Sequence, residues 1–447
     1  MSAFSSADPR TAARGAWLFE RIVETGSVVM SELGQTRAGE IAGHRYLSSP
    51  YVSYEGIIGA LSERTRQACA GRRVVVAQDT TEINFKDRSA ARRGLGPAGD
   101  GKSPGFFIHL MVAVDADEEA LLGLVGAQIW TRGAQKVSNR HKRAAEDKES
   151  ARWLEGSRTA AGVLEQAAQV IMVSDQEGDI WSHFAHCPEN VDQVIRARHD
   201  RSLGDGAKLF KAFAGQPALI VTTVKVSPQG PGDKGRVAKV ELRAGRVIIK
   251  QPSTAPHTDP ETLTLGLVEA IEQDPPPSVE PLHWRILTTL PVETLDDAQD
   301  VVRIYRLRWR IEEVFRTLKR DGLALEETQM QDKKRLFHLA ALAIGAAVRI
   351  IQLVDARDGS SRPMSDVLDQ KLQSAVTILV QARQGATAKQ KNPHPEGSLA
   401  WLSWVVARYG GWNCYYKPPG PKTMARGWQG FAATLAGLLL APNAQLP

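Results

Sequence analysis

The sequence predicts an α/β protein in which helical regions flank a core that contains strands. Three observations lead to this prediction. Short apolar segments typical of strands are interspersed with helical segments between residues 71 and 355. Within that core, residues 196–282 are rich in strand-forming side chains, and both ends of the chain carry apolar residues at helical spacing.

Residues 1–70 are expected to form a helical domain. Segments 16–30 and 53–70 have the apolar spacing of helices. Between them, Arg37, Arg45 and Tyr46 belong to a small basic and aromatic cluster. A DNA-binding module carries such residues, although any small helical bundle can carry them too.

The core, predicted over residues 71–355, begins with apolar strands that end in acids. Segment 73–78 is followed by Asp79, and segment 169–174 is followed by Asp175. Both acids are therefore expected at the carboxyl edge of the sheet, where α/β proteins bind their ligands.

The remaining core elements are a pair of strands, a helix and an insertion. Segments 106–114 and 121–130 are expected to pair antiparallel, and residues 148–167 to form a helix. In the insertion at 196–282 we predict separate strands over 219–226, 237–244 and 246–250. The core strand then resumes at 283–289, and a strongly apolar helix is predicted over 335–356. Residues 356–447 are expected to be a helical region.

Composition sets limits on the class of protein. The net charge of +6 and the pI of about 9.1 weakly favour a polyanionic partner. Three scattered cysteines provide neither a disulfide framework nor a CxxC metal site, so a cytosolic location is expected. No run of about 18 apolar residues is found, so no membrane partner is expected. The absence of a P-loop argues against an ATPase.

The segment 305–319 is predicted to be a helix with a charged stripe. On a wheel of about 100° per residue, Tyr305, Arg308, Glu312 and Lys319 fall within roughly 60° of one another. A separate apolar arc is filled by Ile304, Leu307, Ile311, Val314, Phe315 and Leu318. Such a stripe could hold a metal ion beside a phosphate backbone, and the alternative is a solvated charged face.

Three carboxylates are the candidate metal ligands. Asp79, Asp175 and Glu312 have no His or Cys partner, and ligation by oxygen alone suits Mg²⁺ or Mn²⁺. Each aspartate could instead cap the turn that follows its strand. Glu177 and Asp179 are alternatives to Asp175, which its position at the strand end favours.

These residues resemble the motifs of a known family. Tyr305, Arg308, Glu312 and Lys319 stand in the spacing Tyr-x2-Arg-x3-Glu-x6-Lys of the DDE transposases of the insertion-sequence-four family. Within that family the chain is similar to the cut-and-paste, hairpin-forming branch typified by the transposon-five enzyme. Asp79, followed by two threonines, resembles the first acid of that family. Asp175, in Ser-Asp-Gln-Glu-Gly-Asp-Ile, resembles the second.

The resemblance implies an RNase H-like catalytic core with a β-strand insertion. It also implies an N-terminal domain, carrying Arg37, Arg45 and Tyr46, that binds transposon ends, and a C-terminal dimerisation region. Asp79, Asp175 and Glu312 would bind two Mg²⁺ ions, with Mn²⁺ as a substitute. The implied DNA contacts are Tyr305, Arg308, Lys319, Trp284, Trp309, Arg196, Arg198 and Arg201.

The implied activity is cut-and-paste transposition by a homodimer. It comprises nicking of double-stranded DNA at the inverted-repeat ends, hairpin formation and resolution, and strand transfer into target DNA. The protein would act in the bacterial cytoplasm, associated with the nucleoid. Two alternatives stay open at this point: a catalytically silent DNA-binding regulator of transposition, and a metal-dependent nuclease without strand transfer.

Overall fold

The computed structural model describes residues 8–85, 94–99, 102–133, 151–226, 235–277, 279–321 and 323–440. Residues 148–150 of the predicted helix, and parts of each predicted domain, lie outside these ranges. The described chain divides into two compact units. Unit 1 contains described residues of 1–69, 80–136 and 312–447, and unit 2 contains those of 70–79 and 137–311. The predicted domain boundaries stay predictions.

The α-helices of the described chain follow one another in this order: α1 (Pro9–Thr25), α2 (Met30–Gly34), α3 (Arg37–Ser48), α4 (Tyr54–Ala68), α5 (Ala151–Val163), α6 (Trp181–Ala185), α7 (Leu295–Leu307), α8 (Arg310–Arg316), α9 (Lys333–Ala356), α10 (Gln373–Arg383), α11 (Leu399–Tyr409) and α12 (Pro421–Leu440).

The strands are β1 (Arg73–Asn84), β2 (Gly96–Ala98), β3 (Ser103–Asp115), β4 (Leu121–Trp130), β5 (Gln169–Ser174), β6 (Val191–Arg196), β7 (Ile220–Val226), β8 (Arg236–Lys250), β9 (Thr262–Gln273) and β10 (His283–Thr288).

Unit 1 is built around the apolar helix α9. This helix packs against α1, α3, α4, α11, α12 and strand β4. The antiparallel pairing of β3 with β4 is confirmed. Among the described helices, α9 alone is long and apolar enough to cross a membrane by length and composition, and 94% of its apolar window is buried in the protein. Burial to that extent is typical of a core helix.

Unit 2 contains a mixed sheet with the strand order β1-β5-β6-β10-β9-β8-β7. The pairs β1–β5 and β5–β6 are parallel, and the pairs from β6 to β7 are antiparallel. Helix α7 packs against β5, β6, β8, β9 and β10, and its first turn is fixed by a capping box between Thr294 and Asp297. The fold is therefore mixed α/β, as predicted.

Two strand predictions need correction. The first predicted strand does not end before Asp79, because β1 continues to Asn84. The residues after Asp79 include Thr80, Thr81 and Ile83, which are β-branched and favour the extended backbone. The separate strands expected at 237–244 and 246–250 are one strand, β8, which pairs with β9 through Gly245 without interruption.

Candidate active site

Three charged residues, Asp79, Asp175 and Arg196, belong to or directly follow the neighbouring parallel strands β1, β5 and β6 of unit 2. The ladder pairs Ala77 with Val173. If that register is continued by two residues, Asp79 falls beside Asp175, the first residue after β5. The next ladder pairs Ser174 with Ile195, so Asp175 has Arg196 as its neighbour. We call Asp79, Asp175 and Arg196 the strand-end row; its members stand on strands about 4.8 Å apart.

The carboxyl end of α7 lies over this row. Arg308, which follows the helix, donates a hydrogen bond from Nη1 to Oδ2 of Asp79 at 2.9 Å. Both side chains are largely buried, with 14% and 12% of their surfaces exposed. Because little water screens this ion pair, the guanidinium neutralises much of the Asp79 charge.

Tyr305 is the second side chain that α7 brings to the row. It is buried, and burial raises the pKa of its phenol, while the nearby Arg308 and Arg196 oppose that rise and Asp175 adds to it. The ring of Trp284 meets Tyr305 edge to face, with centroids 5.0 Å apart. The structure thus brings the predicted residues Tyr305, Arg308 and Arg196 near the aspartates, with Trp284 against Tyr305.

The continuous helix predicted over 305–319 is wrong. Helix α7 ends at Leu307, and the backbone tightens into i→i+3 hydrogen bonds from the N–H groups of Arg308, Trp309 and Ile311. A short α8 follows, and then a π-helical turn, Thr317–Asp321. A wheel of constant angle therefore does not describe this segment. Arg308 reaches Asp79 from a turn and not from a helical stripe.

The last two residues of the motif belong to unit 1. Glu312 is partly buried on α8, and Lys319 is partly buried in the π-helical turn. Burial lowers the pKa of Lys319, while Glu326, Glu82 and Glu312 raise it. We call these four residues the Lys319 cluster. Two of its carboxylates are held by backbone amides: Glu326 accepts from the N–H of Asn84, and Glu82 from that of Gly99.

Asp179, the predicted alternative to Asp175 as a metal ligand, has its carboxylate bound by other residues of unit 2. Its carboxylate accepts from the backbone N–H groups of Arg198 and His199 and from the guanidinium of Arg201. Only 2% of Asp179 and 8% of Arg201 are exposed. The predicted DNA contact of Arg201 therefore disagrees with the structure, because this side chain is buried in an ion pair. Arg198 itself is exposed.

The remaining predicted DNA contacts differ in accessibility. Tyr46 is buried, with the pKa of its phenol raised to about 12 by burial, and a Cβ on Gly15 would lie 2.6 Å from its hydroxyl. A contact from Tyr46 to DNA disagrees with that position. Arg37 and Arg45 are exposed, and Arg37 pairs with Glu40 at 2.9 Å. Trp309 is partly buried, with its ring centroid 5.9 Å from Cζ of Arg308.

The two aspartates of the row fit a hard divalent cation. Both supply oxygen donors, and Asp175 has one oxygen committed to the N–H of Glu177 at 2.8 Å. Within the described residues, His, Cys, Asp and Glu side chains do not form a group of three or more that could hold a metal ion. Metal binding by Asp79 and Asp175, with Glu312 as a third ligand, stays a prediction.

Sequence reasoning missed a buried polar network on the other face of the unit 2 sheet. His183 contacts Gln78, Ser157 and Gly178. Gln78 directly precedes Asp79, and Gly178 follows Asp175 by three residues. No spacing in the sequence links His183 to these partners, because α5, α6 and β1 meet only in the folded sheet.

These features define a class: a mixed α/β protein with two aspartates on neighbouring sheet segments whose oxygens suit a divalent cation. A comparison with protein families makes this more specific. Residues 185–349 match the family model described as the transposase DDE domain, which supports a DDE transposase. The match includes Trp284, Tyr305, Arg308 and Glu312. Asp79 and Asp175 precede it, so their assignment rests on the geometry of the row and on their sequence motifs.

Proposed function

We propose that this protein is a DNA transposase of the cut-and-paste type, in which Asp79, Asp175 and Glu312 are the catalytic carboxylates. The observation that carries the proposal is the strand register that brings Asp79 beside Asp175, with the motif residues Tyr305 and Arg308 next to them. The match of residues 185–349 to the transposase DDE domain supports the same reaction class.

The carboxylates would hold two Mg²⁺ ions, for which Mn²⁺ could substitute. Ions bound there would stabilise the attacking and leaving oxygens during in-line displacement at phosphorus. Asp79 and Asp175 supply negative charge from neighbouring strands, and binding a cation at Asp79 would require Arg308 to leave that carboxylate.

Arg308 has two available anions in this proposal, the carboxylate of Asp79 and a DNA phosphate. Its present ion pair with Asp79 neutralises the carboxylate in the protein alone. With Asp79 bound as a metal ligand, the Arg308 guanidinium would be available for a DNA phosphate, for which its planar N–H groups are suited. We propose a second phosphate contact from Arg196, which follows Ile195 at the end of β6.

The proposed substrates are the inverted-repeat ends of a transposon and a target duplex. One set of carboxylates can serve nicking, hairpin formation, hairpin opening and strand transfer, because each step is a displacement at phosphorus with a different nucleophile. Two ends must be held together, so we propose a homodimer on the DNA. Chromosomal substrates would place its action in the bacterial cytoplasm, at the nucleoid.

The test is a cleavage and strand-transfer assay on DNA that carries the flanking inverted repeats. Asp79→Asn, Asp175→Asn and Glu312→Gln each remove a negative charge with little change of shape. We expect each variant to lose nicking and strand transfer in Mg²⁺, by at least about a thousandfold, since the stabilisation of both reacting oxygens is lost. Glu189→Gln, an exposed residue of unit 2, serves as the control and should retain activity.

The outcomes separate the three functions. Full activity in any carboxylate variant would remove that residue from the site. Nicking without strand transfer by the native protein would indicate a nuclease, and end binding without nicking would indicate a regulator. Either result would overturn the proposed transposase activity.

A further inference from the structure

His183 is buried against one face of the unit 2 sheet, with 1% of its surface exposed. Its Nδ1 lies 3.0 Å from the carbonyl oxygen of Gly178. Its Nε2 lies 2.9 Å from Oγ of Ser157 and 3.5 Å from Nε2 of Gln78. One imidazole is thus in contact with α5, with β1 and with the turn that follows β5.

These partners fix the tautomer of the imidazole. A carbonyl oxygen can only accept, so Nδ1 carries the hydrogen that is donated to Gly178. Nε2 is then an acceptor, which suits the Ser157 hydroxyl and the more distant Gln78 amide. Burial lowers the pKa of His183 to about 4, so the ring is neutral at neutral pH and retains this pattern.

The network acts from the face of the sheet opposite the carboxylates. Side chains alternate along a strand, so Gln78 points away from the face that Asp79 occupies. Arg308 reaches Asp79 on one face, and His183 reaches Gln78 on the other. The backbone carbonyl of His183 also accepts from Nε2 of Gln193 on β6 at 3.0 Å, which fixes α6 to the sheet.

Residues 175–179 form a tightly packed turn, which we call the Asp175 turn. A displacement of Gly178 in this turn would therefore be passed on to Asp175. A Cβ added to Gly178 would lie 2.1 Å from Oγ of Ser174. The carboxylate of Asp175 also caps this turn, accepting from the N–H of Glu177. A displacement of the Gly178 carbonyl would therefore move the Asp175 side chain as well.

We propose that His183 is a positioning residue that sets the separation of Asp79 and Asp175, because one imidazole joins the two segments that carry them. The inference rests on the proposed function, since it takes these carboxylates as metal ligands. Groups that orient metal ligands typically change metal affinity by about 10-fold to 100-fold when they are replaced.

The experiment compares His183→Phe with His183→Asn in the full chain. Phe fills the space but makes no hydrogen bond, whereas the Asn amide keeps an N–H close to the position of Nδ1. For the Phe variant we expect the Mg²⁺ concentration at half-maximal cleavage to rise about 10-fold, with the rate at saturating Mg²⁺ changed much less. The Asn variant should recover most of that shift.

Amide hydrogen exchange provides a second readout that needs neither metal nor DNA. Exchange in the turn 175–179 should be faster in His183→Phe than in the native protein and close to native in His183→Asn. The matched control is His338→Phe in unit 1, where another buried histidine uses Nδ1 to bind the carbonyl of Leu47 at 2.9 Å. That variant should lose stability without any change in Mg²⁺ dependence.

An unchanged Mg²⁺ requirement in a folded His183→Phe protein would overturn the inference, as would a shift of equal size in His338→Phe. If the Phe variant does not fold, a Mg²⁺ dependence in Ser157→Ala identical to that of the native protein would overturn it, because this variant removes the hydrogen bond to Nε2 of His183. An inactive native protein would instead count against the proposed function. In that case native exchange rates in the turn of His183→Phe would still overturn the positioning role.

Discussion

The strand-end row of unit 2 and the Lys319 cluster of unit 1 both place cations beside carboxylates, but they are built differently. The row lies next to the ends of parallel ladders, whose last pairs are Ala77 with Val173 and Ser174 with Ile195. The Lys319 cluster is assembled from α8, a π-helical turn, the 3₁₀ turn Leu325–Glu327 and the end of β1. Regular strands give fixed positions, whereas irregular turns depend on each tertiary contact that holds them.

This difference predicts unequal sensitivity to substitution. A substitution among the residues that pack against the strand-end row displaces side chains that the sheet otherwise holds in place. Its effect on cleavage should therefore be large. A change in the Lys319 cluster alters one charge among several, so its effect should be smaller.

The largest expected effect is the loss of folding stability at low pH that follows from protonation of His183. His183 has its pKa lowered to about 4 in the folded state, and an unfolded histidine has a pKa near 6.5. Between these values the unfolded chain binds a proton that the folded chain does not, so stability is lost as the pH falls. The loss should begin near pH 6.5 and approach its full size, on the order of 3 kcal/mol, near pH 4.

The measurement is the denaturation midpoint of the native protein and of His183→Asn from pH 7.5 to pH 4.5. The native protein should lose more stability than the variant over this range. Parallel curves for the two proteins would show that His183 does not titrate as proposed.

Gly178→Ala should cause the next largest effect. The added methyl group would lie 2.1 Å from Oγ of Ser174, so the Asp175 turn must move. A misplacement of about 1 Å at a catalytic group can lower the rate about 100-fold. Gly162→Ala is the matched control, because its Cβ would have no atom within 4 Å. Cleavage rates of the two variants that agree within experimental error would contradict a tightly packed row.

Arg308→Ala should lower the cleavage rate about 10-fold to 100-fold, as expected for the loss of a charge-assisted hydrogen bond to phosphate. The slope of log affinity for DNA against log salt should become shallower by about one phosphate contact. If the salt dependence of DNA binding by the variant equals that of the native protein, Arg308 forms the ion pair with Asp79 but does not contact a phosphate.

Lys319→Met should lower cleavage about 10-fold, the smallest effect in this series. Glu82, Glu312 and Glu326 already offset part of the lysine charge, which weakens its pull on a phosphate. Arg316→Ala, an exposed cation on the neighbouring α8, is the control and should be close to native. A loss larger than that of Arg308→Ala would reverse the ranking of the two clusters.

The parts of the fold that sequence predicted are those governed by local pattern. The apolar content of β4 and the strongly apolar sequence of α9 specify their own structure, and both lie where expected. Asp175 follows its strand as predicted, because the polar turn after β5 ends the apolar run. Asp79 does not, because β-branched residues carry β1 further.

The parts that sequence could not predict depend on contacts between distant segments. The constant helical period failed at Arg308, where α7 ends and the chain tightens to approach Asp79. Arg201 and Tyr46 looked like surface contacts for DNA, yet each is buried against a partner far away in the chain. His183 carried no signal at all, since its role depends on the sheet that lies between it and the carboxylates.

The central claim is that Asp79 and Asp175 are metal ligands for DNA cleavage, and a change of metal preference tests it most directly. Asp79→Cys replaces a carboxylate with a thiolate, which binds Mg²⁺ poorly and accepts softer ions such as Mn²⁺ better. We predict that this variant is inactive with Mg²⁺ and regains cleavage of transposon-end DNA with Mn²⁺, while Glu189→Cys cleaves with both ions. Equal activity of Asp79→Cys in the two ions, or no recovery with Mn²⁺ in a folded protein, would contradict the account.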